Sequence, residues 1–266
     1  MPDGADAGVA VVAGVDRLET DHGPLFAVIG VFDGIHLGHQ YLLRHLVAEA
    51  RQRGARPSVI TFDSHPDEIL VGAAPPLLLD PAERIRLLEE AGVEVIVVQH
   101  FDAALRMTEY DDFLRRITSR TRLAGILMTP DAAFGHDRRG TPEAVAALGA
   151  AAGFDLVVAP PFEIDGRSVR SSDVRSAIVA GELSRAEELL GRPYAVLATI
   201  RANGPLGVAM PVALPPAGSY RVVIECVDVS EPRSATLNLD KDGALRLVPP
   251  AWEPSGTRIH VAFGDG

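Results

Sequence analysis

The sequence has one cysteine, no long apolar run and no excess of basic charge in its 266 residues. A disulfide needs two cysteines and a cysteine-type metal site needs several, so Cys226 alone excludes both within one chain. This cysteine usage is typical of a reducing compartment. No apolar run approaches the ~18 residues of a membrane span, and the acidic stretch Met1–Asp6 has no apolar segment typical of a secretion signal. These features predict a soluble, cytoplasmic protein without a membrane partner.

The charge balance is strongly acidic, with a formal net charge of −11 and a pI near 5.2. Binding to a nucleic-acid backbone needs a basic surface, so this composition argues against a nucleic-acid partner. A small anionic substrate stays compatible, because a local group of arginines and histidines can oppose the global charge. The hydrophobic content of 47% is enough for a sizeable core.

Apolar runs alternate with helical patterns over the first part of the chain. The predicted strands cover 26–31, 59–62, 93–98, 123–128 and 154–159, and the predicted helices cover 37–53 and begin near Asp80, Thr108, Thr141, Asp173 and Ser184. Strands that alternate with helices indicate a parallel sheet covered on both faces. In such sheets ligands bind at the carboxyl ends of the strands, beside the point where the strand order reverses.

The pattern changes after Gly191-Arg192-Pro193. Short β-rich segments separated by turn residues follow, without helical periodicity. We therefore predict an α/β domain over 1–191 and a small antiparallel sheet or partly closed barrel over 192–266.

Two histidines, His36 and His39, flank Gly38 where the first predicted strand gives way to a helix. A helix N-terminus offers free N–H groups to a phosphate, and two imidazoles there can donate to charge that grows in a transition state. Zinc binding is a weaker interpretation, because no third and fourth ligands follow nearby. The segment predicts a nucleotide-handling enzyme.

Three further segments carry polar residues beside predicted strands or helices. Arg170–Arg175 has the composition of a phosphate clamp at a helix start, although serine and aspartate also cap ordinary helices. The loops Asp131–Gly140 and Thr61–Pro66 each follow a predicted strand. Either loop could contact a ligand or be a solvated connection.

Taken together, these segments resemble the prokaryotic FAD synthetases, which are bifunctional riboflavin kinase/FMN adenylyltransferases. The resemblance is carried by Gly30-Val31-Phe32-Asp33-Gly34-Ile35-His36-Leu37-Gly38-His39-Gln40, Thr61–Pro66, Phe134–Gly140, Ser171–Arg175 and Leu190–Tyr194. It implies a Rossmann-like nucleotidylyltransferase in which the FMN phosphate attacks the α-phosphorus of ATP and pyrophosphate leaves. No covalent enzyme intermediate is implied.

The resemblance also assigns roles to individual positions. The implied catalytic residues are His36, His39, Asp131, Ser171 and Arg175. The implied nucleotide-binding residues are Gly30, Phe32, Asp33, Gly34, His36, Gly38, His39, Ser171, Ser172 and Arg175. The implied flavin-binding residues are Phe62, Asp63, His65, Pro66, Phe134 and Arg138. Magnesium would be carried by ATP, with no protein ligand named.

Two departures from the family pattern bear on the adenylyl-transfer reaction. Asp173 replaces a threonine and brings negative charge toward a polyphosphate, and Thr129–Gly135 loses one aromatic residue and one glycine of the family motif. Three alternatives therefore stay open: another phosphorylated acceptor, CTP as the nucleotide, or a non-catalytic paralogue that binds a flavin or nucleotide.

The C-terminal part of the chain departs further from the family pattern. A riboflavin kinase barrel carries a Gly-x-Pro-Thr-Ala-Asn motif for Mg-ATP, whereas the nearest alignment here is Gly207-Val208-Ala209-Met210-Pro211-Val212. The hydroxyl and the amide of that motif are both absent. We predict a truncated kinase-like domain without kinase activity.

Overall fold

The structure is a computed structural model that describes residues 8–202, 205–226, 229–248 and 254–264. The acidic segment Met1–Asp6 considered above lies outside these ranges. The strands are β1 (Ala10–Val12), β2 (Leu25–Ile29), β3 (Arg56–Phe62), β4 (Val95–Gln99), β5 (Leu123–Met128), β6 (Asp155–Val158), β7 (Glu163–Ile164), β8 (Arg167–Ser168), β9 (Ala195–Ile200), β10 (Pro205–Gly207), β11 (Gly218–Cys226), β12 (Val229–Leu239), β13 (Leu245–Val248) and β14 (Arg258–Phe263). The α-helices are α1 (Leu37–Gln52), α2 (Asp67–Leu70), α3 (Pro81–Glu90), α4 (Ala103–Arg106), α5 (Tyr110–Thr118), α6 (Pro142–Ala152), α7 (Ser171–Ala180) and α8 (Leu183–Leu190).

Six strands form one parallel sheet in the order β1-β4-β3-β2-β5-β6. The central strands are apolar without alternation and lie buried on both faces, as Leu25, Phe26 and Ala27 of β2 illustrate. The chain moves outward from β2 through β3 to β4 and then returns to the other side of β2 as β5. The strand order therefore reverses between β2 and β5, where open α/β sheets bind ligands. The predicted Rossmann-like parallel sheet is confirmed.

The C-terminal strands close into an antiparallel barrel in the order β10-β13-β12-β11-β14-β9. Residues in β9 and β14 alternate between buried and partly exposed positions, as expected where one face of each strand fills a barrel interior. The predicted small antiparallel barrel is confirmed, and it is closed rather than partly open.

The chain forms two compact units, each assembled from separate stretches. The sheet unit contains the described residues up to Phe32, with Gly38–Pro75 and Ile85–Ser168. The barrel unit contains Asp33–Leu37, Pro76–Arg84 and the described residues from Val169 onward. The predicted domain boundary after Gly191 stays a prediction.

Short elements account for most differences from the predicted elements. Strands β1 and β10 have three residues and helices α2 and α4 have four, too few for a periodic pattern. The helix predicted to begin near Thr108 has Glu109 as its N-cap residue, and the Thr108 hydroxyl instead donates to the Ala104 carbonyl at 3.0 Å. The helix predicted to begin near Ser184 begins one residue earlier, at Leu183. None of the helices described here is long and apolar enough to cross a membrane.

Candidate functional site

The turn between β2 and α1 has a strained backbone. Phe32 and Ile35 have φ angles of 55° and 38°, in the left-handed region that side chains rarely adopt. Such residues cost about 1–3 kcal/mol each and persist only where their surroundings fix them. Gly34 between them has a φ of 87°, and a Cβ there would lie 2.7 Å from the Leu78 side chain. Strain of this kind is concentrated at functional sites.

Asp33 anchors this turn from within the barrel unit. Its side chain is buried, and Oδ1 accepts hydrogen bonds from the backbone N–H groups of Leu78 (2.9 Å) and Leu79 (3.2 Å). Its other oxygen, Oδ2, accepts from Nη2 of Arg175 at 2.9 Å. A buried charge is tolerated only when it is paired and hydrogen-bonded, and Asp33 satisfies both conditions.

Ser171 and Arg175, the predicted phosphate clamp, contact the same turn from α7. The Ser171 hydroxyl donates to the backbone carbonyl of Asp33 at 2.8 Å, and Arg175 Nε donates to the carbonyl of Pro76 at 2.7 Å. Both side chains therefore hold the turn in this structure. Ser172 is exposed beside them in the first turn of the helix. Their binding to phosphate stays a prediction.

Asp173 caps α7. Its Oδ2 accepts from the backbone N–H of Arg170 at 3.2 Å, the bond of a capping box. The aspartate that replaces the family threonine thus has a structural role, but the N-cap residue is Arg170 and not one of the serines or the aspartate that the ordinary-cap interpretation expected.

His36 is buried, with 3% of its surface exposed. Burial lowers the pKa of His36 from an ordinary 6.5 to about 4; the carboxylate of Asp173 opposes this shift, and the positive charge of Arg192 adds to it. The imidazole is therefore neutral at pH 7, when it can donate a hydrogen bond from one nitrogen and accept with the other.

His39 lies in the first turn of α1, directly after Gly38, and packs against Phe32 with ring centroids 5.0 Å apart. The Phe32 ring also covers Gly30, where a Cβ would lie 3.0 Å from the ring edge. A side chain at Gly30 would push against that ring, so this glycine permits the Phe32–His39 contact.

A cavity of about 500 Å³ opens in the sheet unit beside the carboxyl end of β2. This volume falls within the range of small-molecule sites. Its wall includes four phenylalanine rings, those of Phe62, Phe101, Phe113 and Phe134. Of the other predicted residues, Gly30, Pro66 and Arg138 also line it.

Sequence reasoning missed the wall contributed by the segment 101–107. Phe101, Leu105, Arg106 and Met107 line the cavity, and Met107 is 60% exposed. The available signal was weak, because this apolar pattern belongs to a four-residue helix.

Two predicted flavin-binding residues, Asp63 and His65, are not among the described residues that line this cavity. Asp63 is 2.6 Å from Nδ1 of His100 and accepts from the backbone N–H of Phe101 at 3.2 Å, so it positions a wall residue. Nδ1 of His65 accepts from the backbone N–H of Asp67 at 3.2 Å, at the start of α2. Direct binding of a ligand by either residue stays a prediction.

Asp131 follows β5, on the other side of the point where the strand order reverses. It is exposed, and its carboxylate accepts from the Thr129 hydroxyl at 2.9 Å. Its carbonyl accepts from Nη2 of Arg138 at 3.4 Å. Asp131 and Arg138 therefore lie in one loop at this edge of the sheet.

Within the described ranges, no three or more histidine, cysteine, aspartate or glutamate side chains are grouped as metal ligands. The predicted magnesium ion carried by ATP stays a prediction.

A family model described as FAD synthetase matches residues 18–173, more than half of the chain. The chain belongs to the FAD synthetase family. The match includes the turn at His36 and His39, the cavity wall and Ser171–Asp173, which confirms the resemblance inferred from those segments.

Relatives of this FAD synthetase family member include two bifunctional riboflavin kinase/FMN adenylyltransferases. The Haemophilus influenzae protein is 32% identical over 181 residues, covering 67% of this chain and 59% of that protein. The Pseudomonas fluorescens protein is 32% identical over 187 residues, covering 70% and 60% respectively. The matched part thus spans about three fifths of these relatives.

A solved structure described as a macrolide-efflux protein from Streptococcus pneumoniae has a TM-score of 0.81 at 24% identity. The likeness covers 96% of this chain and 89% of that one. At this identity the likeness concerns the fold alone. It covers residues of both units of this chain.

Proposed function

We propose that the protein transfers the adenylyl group of ATP to the phosphate of FMN, forming FAD and pyrophosphate, and has no riboflavin kinase activity. The observation that carries this proposal is the family match across His36-Leu37-Gly38-His39, a segment that follows β2 in the sequence, and β2 is one of the two strands between which the strand order reverses. The match covers about three fifths of the bifunctional relatives.

In the proposed reaction, a phosphate oxygen of FMN attacks the α-phosphorus of ATP. A new phosphorus–oxygen bond forms as the bond to the β-phosphate oxygen breaks, and pyrophosphate takes the electron pair. His36 and His39 would donate hydrogen bonds to the phosphate oxygens as charge develops on them. The N-terminus of α7, with Ser172 exposed, offers N–H groups of the kind that bind phosphate. Magnesium bound to ATP would neutralise part of the phosphate charge.

The cavity of the sheet unit supports a flavin as acceptor. Four phenylalanine rings form an apolar wall that suits a flat aromatic ring system. Arg106 and Arg138 also line the cavity; each donates to a backbone carbonyl, and neither forms an ion pair with a carboxylate of the described residues. In a chain with a net charge of −11, two such cations favour a ligand that combines an aromatic ring with an anionic group.

The changes in the loop Thr129–Gly135 are compatible with FMN as the acceptor. The aromatic residue lost from the family motif corresponds to Ala132, which packs against the core cluster of the sheet. Ala132 is not among the described residues that line the cavity. The loss of an aromatic side chain at Ala132 therefore does not directly change the wall of the cavity.

The barrel supports the absence of kinase activity. The residues aligned with the metal-binding hydroxyl and amide of the kinase motif are apolar, and the backbone of Pro211 and Ala213 is bonded to Leu77.

The test is incubation with Mg²⁺, each of the four nucleoside triphosphates and a panel of acceptors that includes FMN and riboflavin, with products identified by mass. We expect FAD from ATP and FMN, and no FMN from riboflavin. FMN formed from riboflavin would overturn the kinase claim. A higher yield with another acceptor, or with CTP, would show that FMN or ATP is not the preferred substrate. Ligand binding without pyrophosphate release would indicate a non-catalytic paralogue.

A further inference from the structure

A chain of hydrogen bonds within the barrel unit begins at Tyr194, directly before β9. The buried Tyr194 hydroxyl donates to the carbonyl of Ala213 at 2.7 Å, and Ala213 is itself buried. Ala213 lies in the connection from β10 to β11, and its N–H donates to the carbonyl of Leu77 at 2.9 Å. The Leu77 N–H returns a bond to the carbonyl of Pro211 at 3.0 Å. The barrel therefore holds Leu77 by its backbone on both sides.

The residues Pro76–Leu79, which we name the clamp segment, pass this support to Asp33. The two residues after Leu77 direct their backbone N–H groups at one carboxylate oxygen of Asp33, at 2.9 and 3.2 Å. Arg175 joins the opposite end, because its Nε bonds Pro76 while its Nη2 bonds the other carboxylate oxygen. Each partner of the Asp33 carboxylate thus touches or belongs to the clamp segment.

Arg192, which lies just before β9, also supports the turn that carries His36. Its guanidinium donates to the carbonyls of Gly34 (2.7 Å) and Ile35 (3.0 Å). These two residues lie in the strained part of the turn and immediately precede His36. A backbone in such conformations requires surroundings that fix it, and the described bonds to Asp33, Gly34 and Ile35 all come from the barrel unit.

We infer that the kinase-like barrel serves the proposed adenylyl transfer as a positioning device: Tyr194 and Arg192, directly and through the clamp segment, hold the turn that carries His36. The inference rests on the proposed function for the role of His36. In this role the barrel itself does not have to bind riboflavin or a nucleotide. It also makes Tyr194 and Arg192 positioning residues, since they act through Asp33, Gly34 and Ile35 rather than on substrate.

The test compares two tyrosines of the same barrel in the full chain. Tyr194→Phe removes the hydroxyl that holds Ala213. Tyr220→Phe is the matched control, because the Tyr220 hydroxyl also donates to a carbonyl of the same connection, that of Pro216, and its ring also contacts Phe263. The control differs in that Ala213, and not Pro216, is bonded to the clamp segment.

We expect Tyr194→Phe to lower kcat for FAD formation about tenfold, the effect of a buried carbonyl left without its donor. KM for ATP and for FMN should stay within about twofold of wild type, since the hydroxyl binds neither substrate. The His36 imidazole resonance should move in the NMR spectrum of Tyr194→Phe. Tyr220→Phe should leave kcat and that resonance unchanged.

Equal behaviour of the two tyrosine variants would overturn the inference. If Tyr194→Phe does not fold, Arg192→Lys serves instead, because it keeps the charge but cannot reach two carbonyls with one planar group. It should then lower kcat and move the His36 resonance, and an unchanged Arg192→Lys would overturn the inference. The NMR measurement needs no substrate, so it separates failure of the positioning role from failure of wild type to make FAD.

Discussion

The buried imidazole of His36 should make the barrel unit lose stability in mild acid. Its pKa is about 4 in the folded protein and 6.5 when exposed. Between these values the unfolded chain binds a proton that the folded chain excludes. The contribution of His36 to the free energy of unfolding is therefore fully present above pH 6.5 and decreases as the pH drops from 6.5 toward 4. Below pH 4 this group causes no further loss.

The magnitude follows from the separation of the two pKa values. One pKa unit corresponds to about 1.4 kcal/mol, so the full loss is about 3 kcal/mol. The loss between pH 7 and pH 5 is about 2 kcal/mol. His36→Asn removes the titrating group, so between these pH values wild type should lose about 2 kcal/mol more opening free energy than the variant.

Hydrogen exchange of the α7 amides at pH 7 and pH 5, corrected for intrinsic exchange rates, gives this difference. His100→Asn, measured at the β4 amides of the sheet unit to which His100 belongs, supplies a control of opposite sign. The hydrogen bond with Asp63 raises the pKa of His100, so that contribution is present below the ordinary pKa and is lost as the pH rises. If wild type and His36→Asn lose the same free energy between the two pH values, the reasoning about His36 burial is refuted.

Three further outcomes are expected. Asp33→Asn leaves the Arg175 guanidinium without its anionic partner and should lower the free energy of unfolding by about 3 kcal/mol in urea titrations; a loss below about 1 kcal/mol would contradict the anchoring role. Arg106→Ala should weaken FMN binding several-fold in flavin fluorescence titrations while leaving riboflavin binding unchanged, with Arg122→Ala, an exposed arginine away from the cavity, as control; equal effects on both flavins would contradict a contact with the phosphate. His39→Ala should slow FAD formation about 10²–10³-fold with an unchanged circular dichroism spectrum, and near-normal turnover would reject its catalytic role.

Much of the fold was predictable because its longer elements carry local signals. Strand β5 was predicted at its observed limits, since Leu123–Met128 is a continuous apolar run. Thr141 and Pro142 mark the start of α6, and the Thr141 hydroxyl accepts from the Ala144 N–H as a cap. The missed strands and α-helices have two to four residues, and tertiary contacts rather than periodicity decide their conformation.

The candidate site was predictable only in part. The motif at His36 and His39 is local, so the sequence indicates it directly. The pairing of Asp33 with Arg175 joins residues 142 positions apart, and no local pattern encodes such a contact. For the same reason the sequence could not show that Asp63 supports Phe101 instead of lining the cavity.

The separate stretches of the barrel unit have a consequence for synthesis of the chain. Asp33 emerges from the ribosome 142 residues before Arg175, and Gly34 emerges 158 residues before Arg192. At about 5–20 residues per second, the turn exists for about 7–30 seconds without these partners. During that interval a carboxylate destined for burial must stay hydrated. We therefore expect the turn that carries His36 to form late, after the barrel has been translated, even if the sheet has already folded.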